Sequence, residues 1–184
     1  MKAIIDANEF KRLINNTKKF INNSSGNVMM RYIYLEINAE TKEVRATALD
    51  GYRVSIEYSK VKEVDESFNC FVRPNIPKIT NSDRDAVLEL IDKKLLVTVG
   101  ENITGYVQPE KEYFKVDEII NNLSSEAAAS IWVDPKLAKE VFESAITYYK
   151  KSVKVTLPTN KKAAIKIENE NGIKYLLPCS VKEE

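Results

Sequence analysis

The sequence contains no histidine. The commonest general base, the commonest activator of a nucleophile and the commonest zinc ligand are therefore missing together. Its two cysteines, Cys70 and Cys179, lie far apart without a Cys-x-x-Cys spacing, so neither a zinc site nor a disulfide framework is indicated. The five glycines, Gly26, Gly51, Gly100, Gly105 and Gly172, are isolated, which leaves no glycine-rich phosphate loop. No apolar run approaches a membrane span, and Met1 to Asp6 lacks the apolar stretch of a secretory signal, so the cytoplasm is the expected compartment. The net charge of +1 predicts no global pull toward nucleic acid; any such attraction must come from how the charges are arranged. The acids at Asp83 and Asp85 beside Arg84, and the Glu168/Glu170 pair, read as exposed turn residues rather than a hydrolytic carboxylate pair. No catalytic residue, metal or cofactor is expected.

What is present suits a globular chain of 184 residues, enough for one domain or one domain and a fragment. Lys2 to Ile5 reads as a short strand. Asp6 and Glu9 then fit a capping box, followed by a helix from about Ala7 to Asn22. Its apolar stripe is Phe10, Leu13, Ile14, Thr17, Phe20 and Ile21, and Lys11, Arg12, Lys18 and Lys19 occupy the other face. Strands are expected over Tyr32 to Asn38, Val44 to Ala48 and Val54 to Tyr58. A second unit begins with a strand at Asn69 to Val72, has too many prolines near Pro74 and Pro77 for more than a turn or two of helix, and ends in three strands between Ala86 and Val107. Asn121 to Glu126 reads as a linker. The third unit is expected to have a strand at Ile131 to Val133, a helix capped by Asp134 with Pro135 at its first position and running to about Tyr149, and three strands between Val153 and Leu177.

The chain is thus three strand–helix–three-strand units, an α+β arrangement repeating at about 55 to 60 residues. The expected division is a two-unit domain over 1–122, a linker over 123–129 and a lone third unit over 130–184. Each unit has one apolar sheet face and one amphipathic helix, so units must pack in pairs.

The most specific stretch is Ala46 to Ser55, in which Asp50-Gly51 joins two alternating runs as a hairpin turn. Alanine-rich strand, Asp-Gly, aromatic, Arg, aliphatic resembles the Asp-Gly-His-Arg-Leu signature in the middle domain of the bacterial DNA polymerase III beta subunit, the sliding clamp. Asn8 to Ile14 looks like that domain's first helix, and Ser67 to Pro74 is similar to the first strand of its second unit. Tyr113-Phe114-Lys115-Val116 lies where the family has Arg-Phe-Pro-Asp-Tyr, with the Pro gone. Tyr175 to Val181 resembles the family's ending, Val-Met-Pro-Met-Arg-Leu. The resemblance spans nearly this whole chain but about half of a clamp subunit.

The resemblance implies a DNA-clamp-like fold and a non-enzymatic processivity factor or recruitment platform in DNA replication. Its partners would be polymerases or repair proteins carrying a short clamp-binding peptide. Carried over, the peptide pocket would be lined by Leu13, Leu49, Gly51, Tyr52, Arg53, Val54, Ile119, Leu176, Leu177, Pro178 and Cys179. Here Leu49 replaces a Thr, and Cys179 with Ser180 replaces Met and Arg. The resemblance also implies sequence-independent contact with duplex DNA through Lys11, Arg12, Lys18 and Lys19 of the first helix and Lys136, Lys139, Lys150 and Lys151 of the third unit, where Glu140 and Glu143 dilute the charge. The alternatives are a peptide-binding module that never encircles DNA and competes for clamp partners, and an unrecognised hydrolase. The odd unit count points to a homo-dimer joined through third units, with a tetrameric ring of twelve units as the arithmetical extension.

Overall fold

A computed structural model describes residues 1–123, 132–146, 152–158 and 163–179. The chain begins with β1 (Lys2–Asp6), whose alternate residues Ala3 and Ile5 are buried. Asp6 ends this strand and caps α1 (Ala7–Thr17), its Oδ1 accepting from the amides of Asn8 and Glu9 at 3.0 and 3.3 Å. Glu9 does not close the capping box. It accepts instead from Arg12 Nε and Ser59 Oγ at 3.0 and 3.1 Å. The helix is shorter than its periodicity suggests: Thr17 Oγ1 bonds back to the Leu13 carbonyl at 2.7 Å, and a single tighter turn, Lys18–Phe20, follows.

The first unit continues with β2 (Ile33–Asn38), β3 (Glu43–Leu49) and β4 (Arg53–Val64). The second comprises β5 (Phe68–Val72), β6 (Asp85–Ile91), β7 (Lys94–Val99) and β8 (Asn102–Val107), with no helix between β5 and β6. Then come α2 (Val116–Leu123), α3 (Pro135–Ser144), β9 (Lys154–Thr156), β10 (Ile165–Asn169) and β11 (Gly172–Leu176). The start of the stretch read as a linker, Asn121 to Leu123, is therefore helical; residues 124–129 lie outside the described residues. Trp132 and Val133 are not in a strand, and Ile131 lies outside the described residues. α3 is capped by Asp134, which accepts from the amides of Lys136 and Leu137, and ends at Ser144; Tyr149 also lies outside.

The first two units are interleaved. β1 pairs with the end of β4 and also with β6 of the second unit, with Ala3 opposite both Val64 and Leu88. Reciprocally, β5 leaves the second unit and pairs with β2, placing Cys70 opposite Leu35. The sheet order is β5-β2-β3-β4-β1-β6-β7-β8. The outer edge of β5 is closed by a side chain: the Gln108 amide accepts from the Phe71 N–H at 2.7 Å and donates to the Phe71 carbonyl at 3.0 Å.

The third unit attaches to the first half of β4. β11 runs antiparallel to it, with Gly172 opposite Glu57 and Leu176 opposite Arg53. One apolar core runs through all three units, from Phe10, Leu13 and Leu35 through Leu88 and Val97 to Val141 and Ile167.

Candidate peptide-binding cavity

The Asp50-Gly51 turn is built by its own first residue. Asp50 Oδ1 accepts from the amides of Tyr52 and Arg53 at 3.0 and 2.9 Å, and Gly51 adopts φ +94°, a conformation that favours glycine. The C-terminal strand lies beside this turn: Leu177 N–H donates to the Tyr52 carbonyl at 3.2 Å. The period-two alternation of paired strands then sorts the side chains. Leu49 stands opposite Val54, and Val54 opposite Tyr175, so these three form a cross-strand row on one face. α2 lies over that face and contributes Val116, Ile119 and Ile120.

Between them is an apolar cavity of about 210 Å³ lined by Met30, Leu49, Gly51, Tyr52, Arg53, Val54, Phe114, Val116, Ile119, Ile120, Ala164, Tyr175 and Leu177. Sites for whole drug-sized molecules run to about 300–1,000 Å³, so this one is sized for one or two side chains of a larger ligand. Of the positions carried over, Leu49, Gly51, Tyr52, Arg53, Val54, Ile119 and Leu177 are on its wall. Leu13 is fully buried in the core beneath α1. Leu176 is also in the core, because it alternates with the outward Tyr175 and Leu177. Pro178 and the exposed Cys179 lie beyond the wall. Sequence reasoning missed Met30, Phe114, Val116, Ile120, Ala164 and Tyr175. The recurrence of Val116, Ile119 and Ile120 at helical spacing was the signal for two of them, Val116 and Ile120.

Arg53 reaches the cavity, but its guanidinium is engaged elsewhere. Nε and Nη2 donate to Asp50 Oδ2 at 2.9 and 2.6 Å, Nη2 also donates to the Lys19 carbonyl, and Nη1 pairs with Glu140 of α3. Burial opposes its charge, and the bonds to Glu140 and Asp50 outweigh that and raise its pKa. Arg53 therefore ties the hairpin to the third unit. Glu140 is part of that tie, not only a diluting charge on a basic helix.

α2 is fixed over the sheet at its first turn, where Arg45 donates through both Nη atoms to Asp117 and through Nη1 to Glu36 at 3.1 Å. Burial pushes the Glu36 carboxyl up, Arg45 pulls it down, and Asp117 adds to the rise. Beside this anchor a second, more open groove of about 590 Å³ carries the stacked rings of Tyr34 and Tyr113, with centroids 4.8 Å apart.

The proposed DNA face is less free than its sequence suggests. Arg12 bonds Glu9, Glu57 and the Tyr58 carbonyl, so its charge is spent inside the molecule. Lys11 donates to the Ile79 carbonyl at 3.2 Å, and Lys18 to Asn15 at 2.6 Å. Lys19, Lys136 and Lys139 are exposed, Lys139 lying 3.8 Å from Glu143. Lys150 and Lys151 lie outside the described residues. Among the described residues, no group of three or more His, Cys, Asp or Glu is placed to hold a metal ion, and no helix is long and apolar enough to cross a membrane.

This interleaved arrangement of strands and helices is the sliding-clamp fold. Solved structures share it. The putative DNA polymerase III beta subunit of Eubacterium rectale superposes with a TM-score of 0.79 at 17% identity, over 98% of this chain and 66% of that one. The DNA polymerase sliding clamp of Bacillus subtilis gives 0.77 at 13% identity, over 99% and 65%. The beta subunit of Thermotoga maritima gives 0.76 at 8% identity, over 99% and 66%. The chain therefore spans just under two thirds of those proteins' length, more than the half that its motifs suggested. No family model and no curated protein matches the sequence.

Proposed function

We propose that this protein is a clamp-like, non-enzymatic platform for DNA replication that holds a short apolar peptide motif of a polymerase or repair protein. The observation that carries this reading is the apolar cavity formed where the Asp-Gly hairpin, α2 and the end of β11 with Leu177 converge on a clamp fold. Burying a Leu or Phe anchor supplies about 1.5–3 kcal/mol, and micromolar binding, about −8 kcal/mol, is the strength expected of a small apolar anchor site. A labelled Gln-Leu-x-Leu-Phe peptide is expected to bind at that strength by fluorescence anisotropy. Leu177→Asp puts a charge on the apolar wall and is expected to abolish binding while the circular dichroism spectrum stays native. Absence of wild-type binding up to about 1 mM, or unchanged binding by Leu177→Asp, would overturn the reading.

Sequence-independent contact with duplex DNA is the second element, carried by Lys18 and Lys19. Lys18→Glu with Lys19→Glu is expected to weaken association, and the wild-type affinity to fall steeply with salt. Equal, salt-insensitive behaviour of the two proteins removes DNA from the account. It would leave a peptide-binding module that competes for clamp partners, a reading favoured by the internal engagement of Arg12.

A further inference from the structure

In the first two units the strand that opens each unit is exchanged, β1 lying on β6 and β5 on β2. The third unit has the same parts with the exchange unmade. Trp132–Asp134, directly ahead of α3, forms no strand. β9 stands where β6 and β2 stand in the other units, and among the described residues it pairs only with β10. The segment ahead of α3 is nevertheless already placed as β1 is. β1 runs beside the end of β4, and the Trp132 carbonyl accepts from the Cys179 amide, just past β11, at 2.7 Å.

We propose that two copies of this chain associate about a two-fold axis through their third units, each laying Trp132–Asp134 along the edge of β9 of the other that no described strand pairs with.

The register commits the edge to a second copy. In both exchanges, the last residue of the leading strand stands opposite the first residue of the receiving strand, Asp6 opposite Asp85 and Val72 opposite Ile33. Transposed to the third unit, this places Asp134 of one copy opposite Lys154 of the other. Asp134 then meets a lysine that within its own chain already pairs with Glu168 at 3.2 Å, and the two-fold axis supplies the meeting twice. The helix makes the same case. Asp6 and Asp134 both cap, so α1 and α3 correspond position by position, Leu13 with Val141 and Ile14 with Phe142. Leu13 and Val141 are both fully buried. Ile14 is also fully buried, on a helix that touches β6 of the neighbouring unit, whereas Phe142 is 41% exposed. Trp132 is 68% exposed. Large apolar side chains thus stand uncovered in the unit that has no exchange partner, and a second copy brings a unit of the same kind.

The test is cross-linking by register. In a Cys179→Ser background, Val133→Cys and Val155→Cys stand opposite each other between copies; Cys70 is buried and stays inert. Light scattering is expected to give twice the 21.0 kDa chain mass for the wild type. Oxidation of the two-cysteine variant is expected to give a covalent dimer, and mixing the two single-cysteine variants a covalent pair of one each. Lys154→Glu sets a carboxylate opposite Asp134 and is expected to weaken the dimer at least tenfold, whereas Glu168→Gln, which removes only the lysine's partner within the chain at 3.2 Å, is expected to leave the dimer in place. A wild-type monomer at about 100 μM overturns the proposal. So does a dimer that the cysteines do not trap, or a disulfide formed within one chain.

Discussion

Glu57→Ala is expected to destabilise the protein by about 3–5 kcal/mol, the loss seen when one member of a buried ion pair is removed. Glu57 is fully buried and serves two cations. Its Oε2 accepts from Arg12 Nη1 at 2.6 Å, and its Oε1 pairs with Lys174, which is itself almost completely buried. The three groups come from α1, β4 and β11, so the carboxylate joins the third unit to the first. Removing it leaves the Lys174 ammonium in the interior without an anion, and burial of an unpaired charge outweighs any gain from the smaller side chain. Lys174→Met is expected to cost less, because Glu57 keeps Arg12. Glu43→Ala is the surface control: its partner Lys60 is largely exposed, and such pairs contribute about 0–1 kcal/mol. Urea unfolding followed by circular dichroism checks the order; a loss at Glu57 no larger than at Glu43 contradicts it.

Gly172→Ala is expected to detach the third unit and, with it, to empty the cavity of its Tyr175 and Leu177 wall. The reason is steric. A Cβ on Gly172 would lie 2.4 Å from the Ile56 carbonyl oxygen and 3.1 Å from Glu57 Cα, and both are backbone that cannot turn aside. Hydrogen exchange should then show lost protection in β10 and β11 while β6 and β7 remain protected, and peptide binding should fall in parallel. Gly26→Ala, where nothing lies within 4 Å, is expected to be silent. Retained protection of β11 in Gly172→Ala would falsify the claim that close backbone approach fixes this junction.

Local chemistry made much of this fold readable. Asp6 and Asp134 announced their helices, Asp50-Gly51 its turn, and alternation the strands. α2 was obscured because Asn121 and Asn122 are weak helix formers, while its apolar spacing went unused. The exchange of β1 and β5 left no trace in either strand, since a period-two pattern states which face is buried but not which edge it meets. Lys174 reads as the exposed member between Ile173 and Tyr175, yet it is the buried one, because its anion arrives from β4. For the cavity, the hairpin and last strand were legible by motif, whereas the direction of Arg53 depends on Glu140, remote in sequence.

The attachment of β11 to β4 also bears on synthesis. Glu57 and Lys174 are 117 positions apart. At about 5–20 residues per second, the first half of β4 leaves the ribosome roughly 6 to 23 seconds before its second neighbour is made. During that interval Arg53 to Glu57 presents unpaired backbone on one side, with a carboxylate awaiting its lysine. The nascent chain carries an open sheet edge of the kind that chaperones shield and that neighbouring chains on a polysome can capture.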